Sequence, residues 1–192
     1  MIKHFHIFRH GQTDMNLKMI YQGSGVNSPL NNIGRQQARD IAQILKDKGI
    51  EVIYSSPLVR ALETAQIVNE TINVNIVNEH SLREAGLGQA EGKPKDIIAD
   101  AFPEEYSLWK SLDESSLDAC FPEGETKRQV QERMLDILNR LSKDSAHNII
   151  GLSTHSGMIR YLLWYFGNYT NDVPNCGCYH VVYENGKLKL VG

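Results

Sequence analysis

Three cysteines in 192 residues are too few, and too odd a number, to build a disulfide framework. They are Cys120, Cys176 and Cys178, and with a single residue between the last two they read as reduced thiols. Long apolar runs are missing as well. None approaches the roughly 20 residues that a membrane span requires, and the opening MIKHFHIFRHG has neither an apolar signal region nor a small-residue cleavage site. Cytoplasmic residence without a membrane partner is therefore the expectation. A surplus of positive charge is absent too: 20 Lys and Arg stand against 23 Asp and Glu, for a net charge of -3. Nothing in that balance draws the chain to nucleic acid, so an anionic ligand must be captured by a local group of cations. Repeats and low-complexity tracts are also lacking. What remains is an ordinary globular composition, 41% hydrophobic and 22% charged, of a length that fits one domain spanning residues 1–192.

The order of elements is legible in the spacing. Residues 2–8 (IKHFHIF) mix β-branched and aromatic side chains and predict a strand that runs into a loop opened by Arg9 and His10. Ala38, Ile41, Ala42 and Leu45 recur at helical spacing within 32–48, and Gly49 supplies a stop. A short strand at 51–55 leads to Ser56-Pro57, which predicts a helix capped at Ser56 and running to about Asn69. A strand at 72–77, a helix from about Lys127 to Ser142, a buried strand at 148–153 and an aromatic-rich helix to Phe166 follow. Asn185-Gly186 between 179–183 and 187–191 predicts a terminal hairpin. Between Glu84 and Thr126 the periodicity breaks, and residues 86–126 read as a lid-like insertion. Alternating strands and helices predict an α/β fold in three layers, α/β/α, with a mainly parallel sheet and one antiparallel edge. Ligands of such sheets bind beyond the carboxyl ends of the strands, where His10 and His155 fall.

Four clusters carry chemistry. Arg9-His10-Gly11 joins an imidazole to a guanidinium whose fork of donors matches phosphate oxygens. Arg60 lies in the first turn of a helix, where a cation is unfavourable unless an anion partners it. His155, followed by Ser156, opens another helix at the same sheet edge. Glu84, at the start of the lid, is a carboxyl group suited to general acid work.

In this order the clusters resemble the histidine phosphatase superfamily, also called phosphoglycerate mutase-like, over nearly the whole chain. The resemblance includes Arg9-His10-Gly11-x-Thr13-x-x-Asn16, the Gln22-Gly23 loop, Ser55-Ser56-Pro57-Leu58-x-Arg60-Ala61, Leu82-x-Glu84, Glu91-Gly92, Gly124-Glu125-Thr126 and the His155 turn. It implies that His10 is the nucleophile that becomes phosphohistidine. Arg9, Arg60 and His155 would hold the phosphoryl oxygens, with Asn16, Gln22, Gly23 and Ser156 bordering them, and Glu84 would serve as the general acid and base. It implies a phosphatase acting on small-molecule phosphate monoesters, with no metal and no cofactor, and it leaves the oligomeric state open, a dimer included.

The departures are informative. Gly86, Leu87 and Ala90 stand where many phosphatases of the family carry an acid and two aromatics, and Asn27 stands where an aspartate is usual. A phosphoglycerate mutase is the nearest alternative; mutases resemble Glu-Arg-His-Tyr-Gly after the acid, whereas Glu84 precedes Ala85-Gly86-Leu87-Gly88. A non-catalytic phospho-ligand binding protein would require a blocked pocket. A metal-binding protein built on His4, His6 and His10 lacks a completing set of ligands.

Overall fold

The structure, a computed structural model, describes residues 2–191. Six strands form one sheet in the order β3-β2-β4-β1-β5-β6. In chain order the elements are β1 (Ile2–Arg9), α1 (Asp14–Leu17), α2 (Asn32–Leu45), β2 (Val52–Ser55), α3 (Val59–Ile72), β3 (Asn75–Asn78), α4 (Lys95–Ala101) and α5 (Pro103–Lys110). They are followed by α6 (Lys127–Asp144), β4 (Ile149–Thr154), α7 (Ser156–Tyr165), β5 (Cys178–Glu184) and β6 (Lys187–Val191). The pairs β1–β4, β2–β4 and β2–β3 are parallel, and β5 and β6 add an antiparallel edge against β1.

Alternation along β1 separates two cores. Phe8 packs with Ile41, Ala42, Leu45, Ile53, Ala65 and Val68 beneath α2 and α3. Phe5 and Ile7 face the opposite layer, where Met134, Leu138, Met158, Leu162 and Trp164 come from α6 and α7. This is the expected three-layer sandwich. The parallel register aligns the strand ends: Arg9 pairs with Thr154 and Ser55 with Ser153. His10, Ser56 and His155 consequently leave the sheet side by side.

Three boundaries differ from the sequence expectation. Helix α3 begins at Val59, not at Ser56: the Ser56 hydroxyl pairs with the His155 ring and accepts from Leu58 N at 3.3 Å, while the first helical amide is capped from afar, Val59 N donating to Asn27 Oδ1 at 2.7 Å. Its far end runs to Ile72, with Asn73 in the left-handed region (φ 57°) and the Asn69 amide bonded to both backbone groups of Val74. The next strand is thereby delayed to Asn75. The third difference is the lid, which contains α4, α5 and two single 3-10 turns. Pro103 at the first position of α5 and the short length of both helices hide their periodicity. Trp109 and Phe121 pack at 5.5 Å, and Trp109 meets Tyr161 of α7 at 5.8 Å, which seats the lid on the α6–α7 layer. Buried Lys127 fastens it, its Nζ donating to Leu108 O, Ser111 O and Ser116 Oγ at 2.7–3.0 Å.

Candidate active site

A cavity of about 280 Å³ opens beyond the carboxyl ends of β1 and β4, and its wall includes Arg9, His10, Asn16, Gln22, Gly23, Arg60, Glu84 and Ser156. Every site residue expected from sequence thus meets at one place, except that His155 stands just behind the wall. His155 is fully buried with its ring centroid 5.2 Å from that of His10.

His10 is buried, and its Nδ1 lies 2.7 Å from Gly11 O. A carbonyl only accepts, so Nδ1 carries the hydrogen and Nε2 keeps its lone pair. Burial, then the Arg9 and Arg60 guanidinium groups, hold the ring's pKa well below 6.5, so it is neutral at physiological pH. His155 is likewise pushed well down, by burial and by Arg60. Its Nε2 is 2.7 Å from Ser56 Oγ.

Arg60 is anchored by carbonyls: Nη1 donates to Val26 O and Nη2 to Gly23 O, each at 2.8 Å. Burial lowers its pKa to about 10, which leaves it charged at neutral pH. Arg9 donates through Nη1 to Val173 O. Three buried nitrogens around His10 nevertheless have no partner: Arg9 Nε, Arg60 Nε and His155 Nδ1. Buried polar groups are satisfied almost everywhere in proteins, so the two unpartnered guanidinium N–H groups, with His155 Nδ1 beside them, describe a place for an anion with several acceptor oxygens.

Glu84 closes the other side. Its Oε1 accepts from Ala85 N at 2.9 Å and from Gly157 N at 3.0 Å, and Oε2 from Gly157 N at 3.3 Å. A Cβ on Gly157 would come within 2.5 Å of Glu84 Oε1, so this approach requires glycine. Asn16 and Thr13 form a capping box on α1, and Gln22 Nε2 donates to Thr13 Oγ1 at 3.0 Å. Glu91 does not line the cavity. Its Oε1 accepts from Ser24 N and Leu87 N, both at 3.0 Å, and so ties the Gln22–Gly23 loop to the lid. A Cβ on Gly23 or Gly25 would meet the Glu91 carboxylate within about 2.1 Å, so the loop wraps closely around it.

Sequence reasoning missed the half of the cavity formed by Met19, Tyr21, Lys95, Trp109, Lys110 and Arg160. Arg160 was discoverable, because it lies four residues after Ser156 on the same face of α7. Tyr21 and Trp109 supply aromatic wall where Leu87 and Ala90 replace the usual rings. Elsewhere, His4 and His6 stack on His180, away from His10. Among the described residues no group of three His, Cys, Asp or Glu is placed to hold a metal ion. Burial raises the half-buried Cys176 thiol to about 12, so it is protonated at neutral pH, and Cys178 is exposed. No helix among the described residues is long and apolar enough to cross a membrane.

The chain is 31% identical over 157 residues to an uncharacterized phosphatase, PhoE, of Bacillus subtilis, covering 82% of this chain and 74% of that one. It is 33% identical over 139 residues to the fructose-2,6-bisphosphatase TIGAR B of Danio rerio, covering 70% of this chain but about half, 51%, of the relative. Among solved structures, Bacillus stearothermophilus YhfR superposes with a TM-score of 0.86 at 27% identity, over 98% of this chain and 95% of the other. A family model described as the histidine phosphatase superfamily, branch 1, matches residues 5–192. With the paired arginines and histidines gathered at one sheet edge, the match leaves a plain conclusion: the chain belongs to the histidine phosphatase superfamily.

Proposed function

We propose that this protein is a phosphatase of small-molecule phosphate monoesters that carries the phosphoryl group transiently on Nε2 of His10. The observation that carries the reading is the pairing of a neutral, tautomer-fixed imidazole with three unpartnered buried nitrogens on the residues around it. The Nε2 lone pair attacks phosphorus while Arg9 and Arg60 neutralise charge on the equatorial oxygens and His155 hydrogen-bonds to them, which is most of what phosphoryl transfer requires. As the P–N bond forms and the ester P–O bond breaks, the leaving oxygen takes a proton from the acid form of Glu84. Oε1 is engaged by two backbone amides, so Oε2 exchanges that proton. In the second step a water gives its proton back to Glu84 and attacks phosphorus, the P–N bond breaks, and inorganic phosphate leaves. Throughout, the Nδ1–H bond to Gly11 O steadies the positive charge on the phosphorylated ring.

Rapid acid-free quenching during hydrolysis of labelled p-nitrophenyl phosphate should trap label on His10. His10→Ala should abolish turnover with its melting transition retained, and prior dialysis against a chelator should leave the parent rate intact. Equal activity of His10→Ala and the parent refutes the reading. Passage of the trapped phosphoryl to a second hydroxyl compound in preference to water replaces it with a mutase.

A further inference from the structure

The ring of His155 has one partner. It stands at the N-cap of α7 yet caps none of that helix's amides. Its Nε2 lies 2.7 Å from Ser56 Oγ, and its Nδ1 is buried without a partner. Both residues are fully buried. Burial and the Arg60 guanidinium push the ring's pKa well below 6.5, so it is neutral at physiological pH. A neutral imidazole has one N–H and one lone pair, and the contact with Ser56 decides which nitrogen is left to donate elsewhere.

The serine's own hydrogen sets the direction of that contact. A hydroxyl has one hydrogen and two lone pairs. Leu58 N donates to Ser56 Oγ at 3.3 Å, which fills one lone pair, and Oγ makes no other hydrogen bond among the described residues except that to His155. If Nε2 carried the ring hydrogen, Oγ would accept twice, the buried hydroxyl hydrogen would have no acceptor, and Nδ1 would turn a lone pair toward the phosphoryl oxygens. If instead the hydroxyl donates to Nε2, both groups are satisfied and only Nδ1–H waits for an acceptor. Buried hydroxyl hydrogens rarely go unpaired, which favours the second arrangement.

We infer that Ser56 is a positioning residue for His155: its hydroxyl accepts from Leu58 N and donates to Nε2, which holds the ring hydrogen on Nδ1 as a donor to the phosphoryl oxygens. The inference rests on the phosphatase reading above, which gives that donor its acceptor. The two histidines then share one tautomer and use opposite nitrogens. His10, with Nδ1–H on Gly11 O, presents a lone pair to phosphorus, and His155 presents an N–H to oxygen. The relay starts at the backbone of Leu58, the N-cap of α3, so the turn that delivers Arg60 also sets the histidine beside it.

Long-range proton–nitrogen NMR correlation on histidine-labelled protein tells a protonated ring nitrogen from a bare one, and the signals lost in His155→Gln assign the ring among the seven histidines. In the ligand-free parent at neutral pH the His155 hydrogen should lie on Nδ1; a hydrogen on Nε2 overturns the inference. In Ser56→Ala it should move wholly or partly to Nε2. That variant's kcat on p-nitrophenyl phosphate should fall by about 10–10²-fold, with KM changed less, short of the roughly 10²–10³-fold cost of removing such a donor outright. A Ser56→Ala protein that keeps the Nδ1 hydrogen, or keeps the parent rate, also overturns the inference. The parent spectrum gives the answer even if the variant folds poorly. It is read without substrate, so a parent that never labels His10 removes the phosphatase reading while the tautomer is decided on its own.

Discussion

Glu91 offers the sharpest separation between a catalytic and a positioning carboxylate. Its Oε1 accepts two backbone amides, Ser24 N and Leu87 N, and the loop it braces supplies the Gly23 and Val26 carbonyls that aim Arg60 at His10. Glu91→Ala strands two amide donors in a half-buried place. At about 1–3 kcal/mol for each stranded donor, the loop loses roughly 2–6 kcal/mol of its preference for the observed conformation. That is enough to let Arg60 drift, and a displacement on the order of 1 Å in a phosphoryl clamp costs about 10²-fold in rate. Glu91→Gln keeps an oxygen at Oε1, and its new amide group replaces Oε2, which accepts no hydrogen bond. Steady-state kinetics on p-nitrophenyl phosphate should therefore show Glu91→Ala down by about 10²-fold in kcat/KM and Glu91→Gln within about fivefold of the parent. An inactive Glu91→Gln would refute this reasoning and make the carboxylate's proton essential. A fully active Glu91→Ala would refute it from the other side, by showing that the loop holds Arg60 unaided.

Two further expectations concern other groups. Glu84→Gln should slow alkyl phosphates by about 10²–10⁴-fold and activated aryl esters much less, because a phenolate leaves without a proton; equal slowing of both dismisses Glu84 as the acid. Lys127 titrates near the working range: burial first and Arg160 second bring its pKa from 10.5 to about 8. Between those values the unfolded chain holds a proton that the folded chain has released, so this group's contribution to stability rises with pH across that window and is constant below it. The melting temperature of the parent relative to Lys127→Met should then climb from pH 8 to pH 10, and a flat difference removes the assignment.

The architecture was legible where pattern and function coincide. Strand β1 reads from its β-branched and aromatic residues, α2 from Ala38, Ile41, Ala42 and Leu45, and the hairpin from Asn185-Gly186, both of which adopt positive φ. Arg9, His10, Arg60 and His155 were legible because each lies at the end of a strand or shortly beyond it, and parallel pairing brings strand ends together. The rest depends on contacts remote in sequence. Ser56 reads as a helix cap, yet its hydroxyl pairs with a histidine 99 residues away, and the first amide of α3 is capped by Asn27, 32 residues earlier. Lys95 and Lys110 sit on helices of seven and eight residues, too short for a periodic signal, so nothing in their neighbourhood announced a shared wall.

The three unpartnered nitrogens also bear on folding. Each buried donor without an acceptor lowers the stability of the unliganded protein, so the cavity represents native-state free energy withheld until an oxyanion arrives. An occupant that satisfies Arg9 Nε, Arg60 Nε and His155 Nδ1 together returns it, and at 100 times its dissociation constant the occupant adds about 2.7 kcal/mol to the unfolding free energy. Three strand ends and two helix starts meet at this point, so the added stability reaches the centre of the sheet. Under the proposed function, substrate and product would thereby protect the folded chain, and unfolding and proteolysis should be fastest when the cavity holds neither.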